Sequence, residues 1–307
     1  MSLHILTIVG PTASGKTRLG VEIAHHLGSE IISADSRQVY RGLDIGTGKD
    51  LCEYASVSPP VAYHLIDIAD PEEVYTLFRY QQDCYEVLRT MESREPFAET
   101  AVPAVMVGGS GLYVEAVVRG YRLADVPKNG ELRTHLEKKN RDDLVAELKR
   151  RSPELAEKTD LSSKRRVIRS IEVVEFEENA PVRYSEPPGI DLGFSVYGVR
   201  VERDELRRRI GERLRSRLEE GMVEEVQGLL DRGITQSRLE ELGLEYREIG
   251  TYLAGQKTRV RMVADLEAAI GRFAKRQLTW FRGMERRGTP IRWIGPKDIQ
   301  AVIEELA

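Results

Sequence analysis

Near the start of the chain, Gly10-Pro11-Thr12-Ala13-Ser14-Gly15-Lys16-Thr17 match the pattern G-x-x-x-x-G-K-[ST]. They sit between an apolar, β-branched run at 4–9 and a helix-like segment from Thr17 to Leu27. That strand–loop–helix setting is the one in which the pattern binds phosphate. Glycines let successive backbone N–H groups turn inward around an anion, and the helix N-terminus adds positive potential. Lys16 can bridge terminal phosphate oxygens, and the Thr17 hydroxyl can ligate Mg²⁺. The loop implies a diphosphate or triphosphate ligand and leaves the reaction open.

A kinase or NTPase also needs an acidic metal ligand at the tip of a core strand. The run at 102–107 ends in Gly108-Gly109-Ser110-Gly111, with no acid at that tip. Asp67, in HLIDIADP, is a substitute position, so a P-loop small-molecule kinase stays open. Asp35 follows the second strand-like run at 30–34, where open α/β sheets bind ligands. It reads equally as a general base facing the phosphate site or as an Asx turn closing the strand.

Elements must hold these residues in place. Strand-like runs at 4–9, 30–34, 61–68 and 102–107 alternate with helical periodicity at 17–27 and 72–92. Such alternation predicts an α/β fold, a P-loop NTPase-like parallel sheet with helices on both faces. Past Gly120 the chain becomes charged and helical in period. Residues 179–193 read as a loop, 194–201 as a returning strand, and the remainder as long amphipathic helices. The expected layout is a core over 1–123, a helical insertion over 124–180, and a core return with a helical C-terminal portion over 181–307.

The 307 residues carry a formal net charge of -4, which does not advertise a nucleic-acid binder. The basic residues are nevertheless clustered: at Lys164, Arg165, Arg166 and Arg169, between Arg203 and Arg217, and between Lys257 and Arg287. They read as phosphate-tracking surfaces or, more blandly, as solvated helix faces paired with glutamates. Trp280 and Phe281 beside Gln277 read first as core, and His64 as a structural histidine. Only Cys52 and Cys84 occur, with no zinc spacing, which suits a reducing compartment. No apolar run is long enough for a membrane span, and the N-terminus lacks a signal-peptide flank. A cytoplasmic protein is expected.

Six segments occur in one order: GPTASGKT, ISADSRQVYRGLDIGTGK, HLIDIADP, VGGSGLYVEAV, KRRVIRSIEVVE and AKRQLTWFRG. Together they resemble the tRNA dimethylallyltransferase family, which includes bacterial tRNA delta(2)-isopentenylpyrophosphate transferases, from about residue 4 to 283. The resemblance implies transfer of a dimethylallyl group from its diphosphate to N6 of adenosine 37, in the tRNA anticodon stem-loop, with Mg²⁺ assisting. A loop that only binds diphosphate agrees with the missing acid. No zinc-finger tail follows the core, so a bacterial-type enzyme is expected; a monomer is expected as well. The alternative within this chemistry is a prenyltransferase acting on free adenine nucleotides; the basic group at 164–169 favours tRNA.

By matching motif position, the resemblance makes Asp35 the base on N6, and Ser36, Arg37 and Gln38 its neighbours on the target nucleotide. Ser110 stands where the family has a threonine hydroxyl facing substrate, and Arg213 where an arginine binds diphosphate. Arg133, Arg165, Arg166 and Arg169 match tRNA-contact positions, as do Tyr246 and Arg247. Within the 272–282 segment, Arg272, Lys275, Arg276 and Gln277 gain the same expectation. Two departures stand out. Glu245 replaces a glycine of the family's G-Y-[RKQ], placing a carboxylate beside a polyanion. The segment PFAETAVP is longer than usual, and 124–180 is short for the insertion.

Overall fold

The computed structural model describes residues 2–93, 102, 104–189, 191–295, 298 and 302; the segment PFAETAVP, apart from Val102, lies outside them. Strand β1 (Ser2–Val9) feeds the phosphate loop and helix α1 (Lys16–Leu27). Gly28, at φ 64, ends α1 by returning its N–H to Ala24 and His25, and the chain enters β2 (Glu30–Ser33). Next come β3 (Tyr63–His64), α2 (Leu77–Glu92), β4 (Ala104–Gly108) and α3 (Gly111–Val118). After the segment 121–186, β5 (Asp191–Val199) returns, and β6 (Arg292–Ile294) closes the sheet.

All pairings are parallel, in the order β3-β2-β4-β1-β5-β6. A parallel sheet covered on both faces needs strands that are apolar throughout. Accordingly Ile5, Leu6, Ile8 and Val9 are all buried, as are Ile31, Ile32, Val105 and Met106. Ile5, Ile32 and Met106 share a core with Tyr80, Val114 and Phe281; Leu6, Ile8, Ile31 and Val105 share another with Leu19 and Ile23 of α1. Burying one such side chain contributes roughly 1.5–3 kcal/mol.

Three expected elements shift. The strand expected over 61–68 shrinks to Tyr63–His64, because Leu65 and Asp67 take left-handed backbones, φ 63 and 56. The helix expected from 72 begins at Leu77, where the Thr76 hydroxyl accepts the Arg79 N–H at 3.1 Å. The returning strand starts earlier, at Asp191, because its register with β1 runs from Ser2.

Helices α4 (Gly130–Glu137), α5 (Arg141–Arg151), α6 (Pro153–Lys158) and α7 (Lys164–Asn179) belong to a compact unit, Tyr121–Glu186. They enclose Leu136, Leu144, Leu148, Val167 and Ile171. Ala124 bridges Tyr184, and the Leu123 N–H reaches Ser185 Oγ at 2.8 Å. The entering and leaving chain passages are thus tied together outside the expected limits of 124 and 180.

Helices α8 (Arg203–Glu219), α9 (Met222–Asp231), α10 (Gln236–Leu242), α11 (Leu244–Leu253) and α12 (Arg259–Arg286) complete the first unit, residues 1–120 and 187–307. Met262, Leu266, Ile270 and Phe281 place α12 against α3, α8 and α11. Among the described residues, no helix is long and apolar enough to cross a membrane.

Candidate active site

The phosphate loop leaves β1 at Gly10. It turns through Ala13 at φ 62 and Gly15 at φ 85, and closes with the Ser14 N–H on Pro11 O at 3.2 Å. A non-glycine residue held left-handed costs about 1–2 kcal/mol, a strain kept by the surrounding structure. Gln277 of α12 supplies part of that support. Its Oε1 accepts the Thr12 N–H at 2.8 Å, and its Nε2 donates to Gly109 O at 2.9 Å. The buried amide therefore bridges the phosphate loop to the β4–α3 turn. The resemblance expected Gln277 on tRNA, but both ends of its amide are engaged inside the fold.

Burial pushes the Lys16 ammonium down to about 8; Arg213 and Arg217 push the same way, while Asp35 and Asp50 oppose them. Arg213 hydrogen-bonds the Thr12 hydroxyl, and burial, then Arg217, holds its guanidinium at about 10. Arg209 extends the row, its Nη1 3.5 Å from Ser14 O. The Ser14 hydroxyl and Glu53 Oε2 are buried beside this cluster without a partner among the described residues. An unpartnered hydroxyl donor and mutually repelling cations are the signature of a site built for an anion; the Glu53 oxygen, an acceptor, adds nothing to that signature.

Asp35 acts on Lys16 from the end of β2. Its Oδ1 accepts the Arg37 N–H at 2.9 Å, so the Asx turn is present, and Oδ2 has no hydrogen bond among the described residues. The Asx-turn reading holds, and it leaves the second oxygen available to the general-base reading. Ser110 takes the Ser36 N–H at 2.9 Å and reaches Ser36 Oγ at 3.2 Å. It positions the segment carrying Asp35, a role different from the substrate contact expected of it. Gln38, expected beside the target nucleotide, is buried with its amide between Ser33 Oγ and Gly48 O. Arg37 is anchored on Glu241 O.

Several residues expected on RNA have partners within the protein. Tyr246 is fully buried, and its hydroxyl donates to Glu225 at 2.8 Å. Glu225 also accepts the N–H groups of Asp44, Ile45 and Gly46 at 2.8, 2.7 and 3.0 Å, pinning the 44–46 loop. Arg247 pairs with Glu248 at 2.9 Å. In the 121–186 unit, Arg133 forms two 2.6 Å hydrogen bonds to Glu172, which Arg169 joins at 3.4 Å. Arg166 pairs with Asp160 at 2.8 Å, whereas Arg165 is exposed and unpaired among the described residues. Asp67, the substitute metal acid, binds the buried Lys49.

Arg272 and Lys275 are exposed along a groove of about 1020 Å³ between α8 and α12, which Arg203 and Arg207 also line. Arg276 lies 5.7 Å from the centre of the Phe273 ring. Glu245, the departure from the family's glycine, is half-buried. Burial raises its carboxyl, with Arg217, Arg213 and Arg37 opposing. In the sequence Arg217 stands out only as the end of a basic cluster and Asp50 not at all; the spacing of Arg209, Arg213 and Arg217 on one helix is the signal available.

No described group of three or more His, Cys, Asp or Glu residues could hold a metal by protein ligands alone. The Thr17 hydroxyl beside a phosphate cradle suits Mg²⁺ shared with substrate oxygens, since that ion uses few protein ligands in such sites.

Comparison with known proteins points to one family. The IPP transferase family profile matches residues 38–284, and the isopentenyl transferase profile matches 2–56. The tRNA dimethylallyltransferase 1 of Porphyromonas gingivalis is 48% identical over 290 residues, 94% of this chain and 93% of the relative. The enzyme of the same name from Geotalea uraniireducens is 46% identical over 96% of this chain and 93% of its own. The crystal structure of a tRNA isopentenylpyrophosphate transferase from Bacillus halodurans matches with TM-score 0.67 and 31% identity, covering 99% of this chain and 95% of that one. A eukaryotic dimethylallyltransferase acting on tRNA shares the fold with TM-score 0.73 at 20% identity, covering 100% of this chain and 78% of that one.

Proposed function

The chain belongs to the IPP transferase family, and from that premise we propose that it transfers the dimethylallyl group of dimethylallyl diphosphate to N6 of adenosine 37 in tRNA. The observation that carries the reading is the shared surroundings of Lys16, Arg213 and Asp35: two cations held below their ordinary range and one carboxylate with a free oxygen.

An adenine amino group is a weak nucleophile because its lone pair is delocalised into the ring. The allylic carbon becomes a good electrophile once diphosphate can leave. Loop amides, Lys16 and Arg213 would take the charge that develops on the departing diphosphate. Asp35 would accept the N6 proton as the new C–N bond forms. Ser110, through Ser36, keeps Asp35 aimed; Gln277 keeps the phosphate loop against the β4–α3 turn. Mg²⁺ on the Thr17 hydroxyl would add charge neutralisation at the diphosphate. The target base has to leave its stack, which is cheap in an anticodon loop. The reading includes a cytoplasmic, monomeric enzyme that approaches RNA through exposed cations such as Arg165, Arg272 and Lys275.

The test supplies labelled dimethylallyl diphosphate with an anticodon stem-loop, with AMP, or with no acceptor. Label should enter one adenosine of the stem-loop, with one diphosphate released per transfer. Preferential labelling of AMP would make the chain a free-nucleotide prenyltransferase. Phosphate release from ATP without the prenyl donor would return the kinase reading.

A further inference from the structure

Helix α8 carries Arg209, Arg213 and Arg217 one turn apart on a single face. The first two meet the phosphate loop. Arg217, with 7% of its surface exposed, is the buried arginine of the described residues. Its partner is Asp50, whose oxygens lie 3.3 and 3.5 Å from Nη2. Gly48, at φ 63, makes the room, since a Cβ there would overlap the guanidinium.

That pairing is unlike the structural ion pairs of the same protein. Arg133 meets Glu172 through Nε and Nη2, both at 2.6 Å, and Arg287 meets Glu115 the same way at 2.6 and 2.7 Å. Two parallel bonds are what a guanidinium forms when neutralising a carboxylate is its whole task. Arg217 uses one nitrogen, at long distance, on a carboxylate with 40% of its side chain exposed. Its Nε and Nη1 have no hydrogen bond among the described residues, yet they are not sealed away from accessible space. Arg217 also lies close enough to Lys16 and Arg213 to disfavour the charge on both.

We propose that Arg217 is a third cation of the diphosphate site, turning its free Nε and Nη1 donors, and Nη2 once it leaves Asp50, to the leaving group, with Asp50 as the counter-ion it exchanges. The proposal rests on the diphosphate reading of the cradle given above. A charge-assisted pair of hydrogen bonds to a polyanion corresponds to roughly 10- to 100-fold in affinity. Lysine, a point charge without the fork, should restore only part of that.

The experiment is calorimetric titration of the intact protein with inorganic diphosphate and Mg²⁺, joined to donor KM and kcat. Arg217→Met should weaken diphosphate binding roughly 10- to 100-fold and raise donor KM more than it lowers kcat. Stem-loop affinity should stay unchanged, and Arg217→Lys should recover part of the loss. Asp50→Asn, which removes the competing counter-ion, should tighten diphosphate binding severalfold. Wild-type diphosphate affinity in Arg217→Met overturns the proposal. If that variant fails to fold, Asp50→Asn decides: tighter binding supports the exchange, and unchanged or weaker binding overturns it. Lys16→Ala runs alongside. Loss there with no loss in Arg217→Met sinks this inference alone; no loss in either sinks the cradle reading itself.

Discussion

Two arginines, Arg213 and Arg133, both matched to functional positions by resemblance, behave in opposite ways. In the cradle, Arg213 sits among Lys16 and Arg217, and burial with like charges holds it down to about 10. In the 121–186 unit, the hydrogen bonds of Glu172 hold Arg133 above its ordinary range. Burial alone would raise Glu172, yet Arg133 and the Asn129 N–H keep it below the usual carboxylate value. The cradle holds Lys16 and Arg213 without an ion-pair partner among the described residues, although Arg209 at its edge pairs with Glu205; the other region compensates Arg133. A protein pays desolvation without compensation only where a ligand will supply the missing charge, so electrostatic imbalance separates binding residues from structural ones better than residue type does.

The strongest way to break this comparison is to remove the central cation. Lys16→Ala should lower transfer by roughly two to three orders of magnitude, as expected for one lost donor to a developing anion, and should leave the melting temperature level or higher. Single-turnover rates with thermal melts check it; a large drop in melting temperature would make Lys16 structural. On the compensated side, Arg133→Ala leaves the buried Glu172 with only the longer Arg169 contact and the Asn129 N–H, and should cost up to about 3 kcal/mol of stability, read by denaturant unfolding. Glu172→Gln in the same chain should recover much of that. A fully stable Arg133→Ala protein whose RNA affinity collapses would return Arg133 to the tRNA contacts.

A pH series sharpens the contrast. Lys16 titrates at about 8 in the folded chain, from an ordinary 10.5. Donor kcat/KM, which reports the free enzyme, should be level below about pH 8 and fall up to about tenfold per unit above it. Stability should move oppositely. Between about pH 8 and 10.5 the unfolded chain binds more protons at this lysine, so folding becomes more favourable as pH rises. Lys16→Ala should flatten both profiles. The smallest effect belongs to the outer surface: Arg272→Ala with Lys275→Ala should weaken stem-loop binding severalfold and reduce its salt slope by about 1–2. An unchanged salt slope would remove the α12 face from the RNA surface.

Local features were legible in the sequence. The phosphate loop, its strand and its helix are contiguous, so residues 4–27 specify that part of the site unaided. The apolar strands announced a parallel sheet because both its faces are covered. Roles set by distant partners were not legible. Gln277 reads as a polar residue beside an aromatic pair until α12 lays it on Thr12, and Tyr246 until Glu225 reaches it from α9. Arg217 meets a carboxylate far away in the chain, and no local spacing encodes that. Similarly, β6 offers too short a run to register as a strand.

The most direct measurement is single-turnover transfer from labelled dimethylallyl diphosphate to an anticodon stem-loop, comparing Asp35→Asn with the unaltered protein at matched donor occupancy. The account predicts that inorganic diphosphate binds both equally while transfer falls by about two to four orders of magnitude in the variant. Transfer within tenfold of the unaltered rate, with the donor still bound, would contradict it.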